Sequence, residues 1–498
     1  MDIPKASQIG PDLNRNTADP QLRAGALNFS SVLMQAVTHI GPAVGIVFCV
    51  PFIALNAGIT SPLAYAIAFA IVLTLGVSLA QLARVFPSAG GYYTYVSRSI
   101  HPSAGFLTGW LYFLYDPPAA AANLALMSLF LERALRSGVH IEIPWRISFT
   151  VLTVVIAVLI YRGIAVSIHA MVAFTLSEMA IVVGLAISCL LHPGNPGLNF
   201  SSFLPHNSPG AHGLFLGVVF CIFAFTGFES VAPLAEESVD PRRNLPRVIV
   251  WSIVVMGIFY LFSAWALLVG WGTNSMQTFA QSAENPVFVL ATRLWGKAWI
   301  LILIAVFNSI LAFAIACTNA STRVFFAMAR SGTLPHVLSK VHPRYQTPVN
   351  AIWLQTILTL GIGLGLGWWM GPDQLFYFLG VAMTLGMVIV YSAGNLGVFS
   401  FYRQKRRHEF GWWLHAVFPV ISTIAMALVA YESVVPLPPA PVKYAPWLVA
   451  VWLLCGGALV CVLGRSRHGS RLLEVGDEVY GLPSEKETQN ETINGAGR

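Results

Sequence analysis

The stretch Phe225-Thr226-Gly227-Phe228-Glu229 sets a glycine and a carboxylate inside a long apolar run, 212–235. At hydrocarbon depth an ionisable group costs about 3 kcal/mol, and a glycine loosens a helix. Near the start of the chain, His39-Ile40-Gly41-Pro42-Ala43-Val44-Gly45 packs two glycines and a proline into five residues. Proline lacks an N–H and clashes with the turn before it. The backbone groups it frees must find partners outside the helix. A plain proline kink accounts for the first interruption taken alone. Two helices broken at matching places are the pattern in which freed helix ends hold a solute at membrane depth.

Composition sets the surroundings of these breaks. The chain has 498 residues, 56% hydrophobic and 10% charged, where a soluble domain carries roughly 25% charged residues. The class is an all-α polytopic membrane protein with the lipid bilayer as solvent. A membrane β-barrel would show alternating segments of about ten residues rather than apolar runs of about twenty. The net charge of +7 is spread over helix ends and loops, so it signals orientation and not nucleic acid. Cys49, Cys189, Cys221, Cys317, Cys455 and Cys461 all sit in apolar runs, a spacing that matches no disulfide or metal framework. Neither a cofactor nor a metal is expected. HExxH and the phosphate-cradling GxxxxGK[ST] are missing from the sequence, so no catalytic set and no ATP-driven engine are expected. The polar start, Met1 to about Ala26, has no short apolar core with a cleavage site.

Twelve spans are expected, at about 27–55, 62–86, 103–131, 146–161, 166–191, 212–235, 247–272, 298–329, 348–369, 374–402, 411–431 and 444–464. Each approaches or exceeds the roughly 20 residues a crossing helix needs, the fourth being short. With twelve spans, nineteen Lys and Arg fall on the side of the termini and six on the other. The positive-inside rule then makes both termini cytoplasmic, with the chain in the cell membrane. The organisation expected is a cytoplasmic N-terminal segment 1–26, a twelve-helix core 27–465 and a flexible cytoplasmic tail 466–498. The oligomeric state is open.

Further motifs flank the breaks. Glu236-Glu237-Ser238 and Pro241-Arg242-Arg243-Asn244-Leu245-Pro246-Arg247 follow the second one. Pro87-Ser88-Ala89-Gly90-Gly91-Tyr92-Tyr93-Thr94-Tyr95 follows the second span. Asn319-Ala320-Ser321-Thr322-Arg323 and Ala329-Arg330-Ser331-Gly332-Thr333-Leu334-Pro335 close the eighth, before His342-Pro343 and Thr347-Pro348-Val349. In this order, and over most of 27–400, they resemble the amino acid–polyamine–organocation permeases. The resemblance implies two inverted five-helix repeats, two extra C-terminal helices, and a substrate held between the breaks of helices one and six. Carried over by position, the binding residues are Ile40, Gly41, Pro42, Ala43 and Val44 with Phe223, Phe225, Thr226 and Gly227. The chain departs from the family's Gly-Ser-Gly-like first break, and Pro42 removes one N–H that a carboxylate would use. The substrate is therefore an amino acid, a polyamine or an amino alcohol.

Ionisable residues inside the spans are few: His39, Asp116, His169, Glu178, Glu229 and Arg323. In the fifth helix some proton-coupled relatives carry a titratable lysine in place of a sodium ion, and Glu178 stands at a similar place. It reads either as a proton carrier or as a hydrogen-bonding partner of a neighbouring helix. Glu229 opens the outer half of helix six, where a carboxylate suits a helix N-terminus as cap or gate. Asp116 precedes Pro117-Pro118 and, if it faces the pocket with Tyr112 and Tyr115, suits a cationic substrate. His39 and His169 read as packing histidines, and Arg323, near the cytoplasmic end of helix eight and able to snorkel, as a structural residue. Sodium coupling would draw on Thr318, Ser321 and Thr322, hydroxyls that more often bond back to their own helix.

The function expected is secondary active transport of an amino acid or related amine, with the proton as coupling ion. The alternatives are an exchanger of the same fold, sodium coupling, and remotely a membrane-embedded enzyme or sensor.

Overall fold

The computed structural model describes residues 22–282 and 284–465. The expected tail 466–498 and most of the expected segment 1–26 lie outside the described residues.

Helices account for nearly all of the described chain. In order they are α1 (Phe29–Ile40), α2 (Val50–Ala57), α3 (Ser61–Val85), α4 (Pro102–Tyr112), α5 (Asp116–Val139), α6 (Trp145–Tyr161), α7 (Ile164–Leu191), α8 (Ala211–Ala224), α9 (Pro241–Trp271), α10 (Ile300–Arg330), α11 (Val349–Met370), α12 (Pro372–Gln404), α13 (Phe418–Glu432) and α14 (Ala445–Arg465). Shorter helical pieces join them, among them a 3-10 helix, Phe228–Glu237. Among the described residues, nine helical stretches are long and apolar enough to cross a membrane. One of them, Phe29–Val85, holds two expected spans, folded at Gly58 with its left-handed φ of 53°. The short fourth span, Trp145–Tyr161, is apolar but falls below that length. The chain is a multi-pass membrane protein.

Packing puts the breaks at the centre. The first span is seated among α7, α9, α10 and the 3-10 helix. Around it, α3 runs along α9 and α7 along α10. Small residues let the α3–α9 pair close up, as they do in membrane interiors. A Cβ at Gly76 of α3 would lie 2.2 Å from Ile253, and one at Gly257 of α9 would lie 2.4 Å from Phe69. Helices α13 and α14 pack at the periphery, against α12 with α3 and against α12 with α4 respectively.

Candidate functional site

The first break is built by Gly41 and Pro42. Asn28 caps the start of α1, its side chain accepting from Ser31 N–H at 2.9 Å. The helix ends at Ile40 because Gly41 turns left-handed, with φ 75°, a conformation glycine takes without penalty. Pro42 then starts the next helical turn, where its missing N–H would have had no helical partner anyway. The N–H groups of this segment all find partners within the protein. Gly41 donates to Thr38 O at 3.0 Å and Gly45 to Gly41 O at 2.8 Å. Ala43 donates to Glu178 Oε2 of α7 at 3.1 Å, and Val44, at a longer 3.4 Å, to Ser309 Oγ of α10. A turn later Pro51 withdraws the N–H that would have met Val47 O, and Asn285 Nδ2 donates to that carbonyl at 2.7 Å instead.

The second break meets the first backbone to backbone. Helix α8 stops at Ala224, and Gly227 turns with φ 117°. A Cβ on Gly227 would lie 2.6 Å from His39 O and 3.0 Å from Ile40 N. Both conformation and contact therefore require glycine here. Glu229 Oε2 accepts from Gly227 N–H at 3.0 Å, capping its own turn. Tyr260 of α9 ties the two breaks together. Its hydroxyl stands 3.4 Å from Ile40 O, 3.4 Å from Gly41 O and 3.2 Å from Ala224 O, carbonyls at the ends of the interrupted helices.

A third break joins these two. The third span is interrupted between α4 and α5, where Pro117 and Pro118 cannot donate to the preceding turn. Asp116 begins α5 there and is fully buried. Its nearest possible cation is His39 Nε2 at 3.5 Å, and that nitrogen also lies 3.2 Å from Cys317 Sγ of α10. These three side chains bring nitrogen, oxygen and sulfur within 4.8 Å of one another. Glu229 lies within electrostatic reach of Asp116. Rings close the chamber: His39 faces Tyr115 at 6.0 Å and Phe313 at 5.1 Å, while Phe228 stacks on Tyr391 at 5.9 Å. Tyr115 and Tyr391 stand beside Glu229. Even so, both carboxylate oxygens of Asp116 and the hydroxyl of Tyr112 lack a hydrogen-bond partner among the described residues. Buried polar atoms are nearly always paired, so this chamber is chemically unfinished. A cation would complete it, held by carboxylates and by ring faces.

Toward the other end of α10 the polar groups are paired. Arg323, fully buried, donates through Nε to Glu237 Oε2 at 2.8 Å and through Nη2 to Oε1 at 3.3 Å. Its Nη1 donates to Thr322 Oγ1 at 3.0 Å and to Asn319 O at 3.3 Å. Gln35 donates to Ala316 O at 2.9 Å, and Ser167 to Asn319 Oδ1 at 3.3 Å. Arg323 thus does not snorkel, as its place near a helix end suggested. The end of the 3-10 helix brings Glu237 to it, and a bidentate pair needs no water.

Of the residues expected at the site, Ile40 meets Gly227 at the contact of the two breaks, and Gly41, Pro42 and Ala43 follow it, buried, along the first break. Val44 and Thr226 are half-buried, and Phe223 is 38% exposed. Phe225 packs against Tyr65, Phe69 and Tyr260 rather than on the acidic chamber. Asp116 and Glu229 share the chamber, and Glu178 is fully buried at the first break. His39 sits between Asp116 and Cys317, at 3.5 and 3.2 Å. His169 is exposed and turns to Ala165 O. Thr318, Ser321 and Thr322 bond back to Ala314, Cys317 and Thr318 carbonyls. Sequence reasoning missed Tyr260, Ser309, Cys317 and Tyr391. Each lies within a regular apolar helix, so no local signal sets it apart.

The profile of the family described as "Amino acid permease" matches residues 31–462. The chain is similar to the low-affinity putrescine importer PlaP of Escherichia coli (strain K12), 26% identical over 357 residues, covering 70% of this chain and 75% of that protein. It is similar to the branched-chain amino acid permease BcaP of Bacillus subtilis (strain 168), 27% identical over 320 residues, 60% of this chain and 66% of that one. It also resembles the aromatic amino acid transport protein AroP of Escherichia coli O6:H1, 26% identical over 409 residues, 79% and 86% of the two chains.

Proposed function

This chain belongs to the amino acid permease family and is a transporter rather than an enzyme, and from that premise we propose secondary active uptake of an amino acid or related amine, coupled to protons. The observation that carries this reading is the meeting of three interrupted spans around Asp116 and Glu229, two buried carboxylates, with both Asp116 oxygens lacking a hydrogen-bond partner among the described residues. The names of the relatives, which cover putrescine and branched-chain and aromatic amino acids, support a substrate with an amino group.

Transport proceeds by alternating access across twelve crossings, arranged as two inverted five-helix repeats with two added C-terminal helices. Both termini lie in the cytoplasm, and the chain resides in the cell membrane. The broken helices one and six hinge about their contact at Gly227 and His39. Substrate binds along Ile40–Val44 and beside Phe223, Phe225, Thr226 and Gly227, with its ammonium toward Asp116 and Glu229. Glu178 is the proton carrier. Ionised, it holds Ala43 N–H through a charge-assisted bond at the start of the outer half-helix. Protonated, it loosens that hold and lets the half-helix move. Thr318 and Thr322 donate their hydroxyls within their own helix, and Ser321 also donates to Gln355 Oε1 at 2.8 Å; sodium is the alternative coupling ion.

The test is uptake of labelled amines and amino acids into proteoliposomes with an imposed pH step. The step should drive accumulation in the wild type and should lose its effect in Glu178→Gln, while exchange at equal pH continues. Accumulation that the pH step still drives in Glu178→Gln would sink the proton-carrier role.

A further inference from the structure

We infer that the solute held at this site carries an ammonium group and no α-carboxylate, because Glu178 occupies the place that a substrate carboxylate would take. The inference deepens the transport reading above and rests on it. It does not depend on which ion is coupled.

A carboxylate is bound at a broken membrane helix by free N–H groups at the start of a half-helix. Here none is free from Gly41 to Gly45. Gly41 and Gly45 bond within the segment, and Pro42 has no N–H to give. Ala43 N–H is given to Glu178 Oε2 and Val44 N–H to Ser309 Oγ. Glu178 is a carboxylate in the role of ligand, fully buried and carried by the scaffold helix α7. A substrate carboxylate would have to displace it or bring a second negative charge to the same donor.

The far side of the site repeats the demand. Asp116 presents two carboxylate oxygens without a hydrogen-bond partner among the described residues, and Glu229 lies within electrostatic reach of it. Among the described ion pairs, only His39, at 3.5 Å from Asp116, offers either of them a basic partner. Tyr112, Tyr115 and Tyr391 surround them, and ring faces attract cations. An α-amino acid would place its carboxylate among Asp116, Glu229 and Glu178. A primary amine, diamine or amino alcohol puts only positive and neutral groups there.

Matched pairs that differ by one carboxylate decide the matter: putrescine with ornithine, cadaverine with lysine, ethanolamine with serine, tyramine with tyrosine. The full chain is purified, its melting is followed with each compound, and uptake of each is measured in proteoliposomes. In at least one pair the amine should raise the melting temperature and be taken up. Its carboxylated partner should compete at least tenfold less well. Glu178→Ala, which frees Ala43 N–H, should narrow that gap, and Glu178→Gln, which keeps an acceptor there, should narrow it less. A carboxylated compound that competes as well as its amine in the wild type overturns the inference and leaves the transport reading standing. Uptake of neither member of any pair overturns both. The comparison within each wild-type pair stands even if a Glu178 variant fails to fold.

Discussion

Two buried acidic regions lie along α1 and α10, and they differ in one respect. At one, Arg323 and Glu237 satisfy each other, with Asn319 and Thr322 taking up another arginine donor. At the other, Asp116 and Glu229 sit equally buried, and both oxygens of Asp116 lack a hydrogen-bond partner among the described residues. Burial alone therefore does not tell the two regions apart. They differ in whether a described side chain completes the carboxylate. A group that the fold completes holds helices together, and in the reading proposed above a group left incomplete receives a ligand.

The contrast can be broken by mutation. The largest effect belongs to the paired region. Glu237→Ala leaves Arg323 buried without its counter-charge and should destabilise the protein by about 4 kcal/mol, read as a fall in melting temperature and in folded yield. Asp116→Asn should do the opposite to stability, leaving melting unchanged or raised, while uptake falls by about 30-fold or more through loss of a charged contact to the ammonium. If Asp116→Asn destabilises as much as Glu237→Ala, the two regions are alike and the contrast is wrong. Gly227→Ala tests the contact of the breaks. It strains a φ of 117° and drives a methyl into His39 O, costing about 2 kcal/mol for the conformation alone, and uptake should fall with stability. The smallest effect is Tyr260→Phe. Losing one hydroxyl among three carbonyls should cost about 1 kcal/mol, visible as a modest melting shift.

Much of the fold is legible in the sequence, for reasons the structure makes plain. Gly41-Pro42 and Gly227 announce their breaks because only these residue types supply a left-handed turn or a missing N–H. Pro117-Pro118 carried the same message for the third span, and Asp116 was read correctly as its neighbour, yet the interruption itself went unread as a break. Sequence spacing could not bring Tyr260, Ser309, Cys317 and Tyr391 to the site. They stand on unbroken helices, and only packing decides which face of such a helix meets the centre. Arg323 is structural as expected, but it is buried rather than snorkelling, for the same reason. Its depth depends on Glu237, which is 86 residues away in the chain.

One modest feature, the parallel bridge between Leu27 and Ser238, reaches further than its size. Leu27 N–H donates to Glu237 O at 3.0 Å, and Val239 N–H donates to Leu27 O at 2.9 Å, just before α1 and just after the 3-10 helix. The start of the first break's helix and the end of the 3-10 helix are thus laced together by two amides. Those amides should exchange their hydrogens slowly while the lacing is closed, so hydrogen exchange at Leu27 and Val239 measures how readily it opens, with no substrate label and no lipid vesicle.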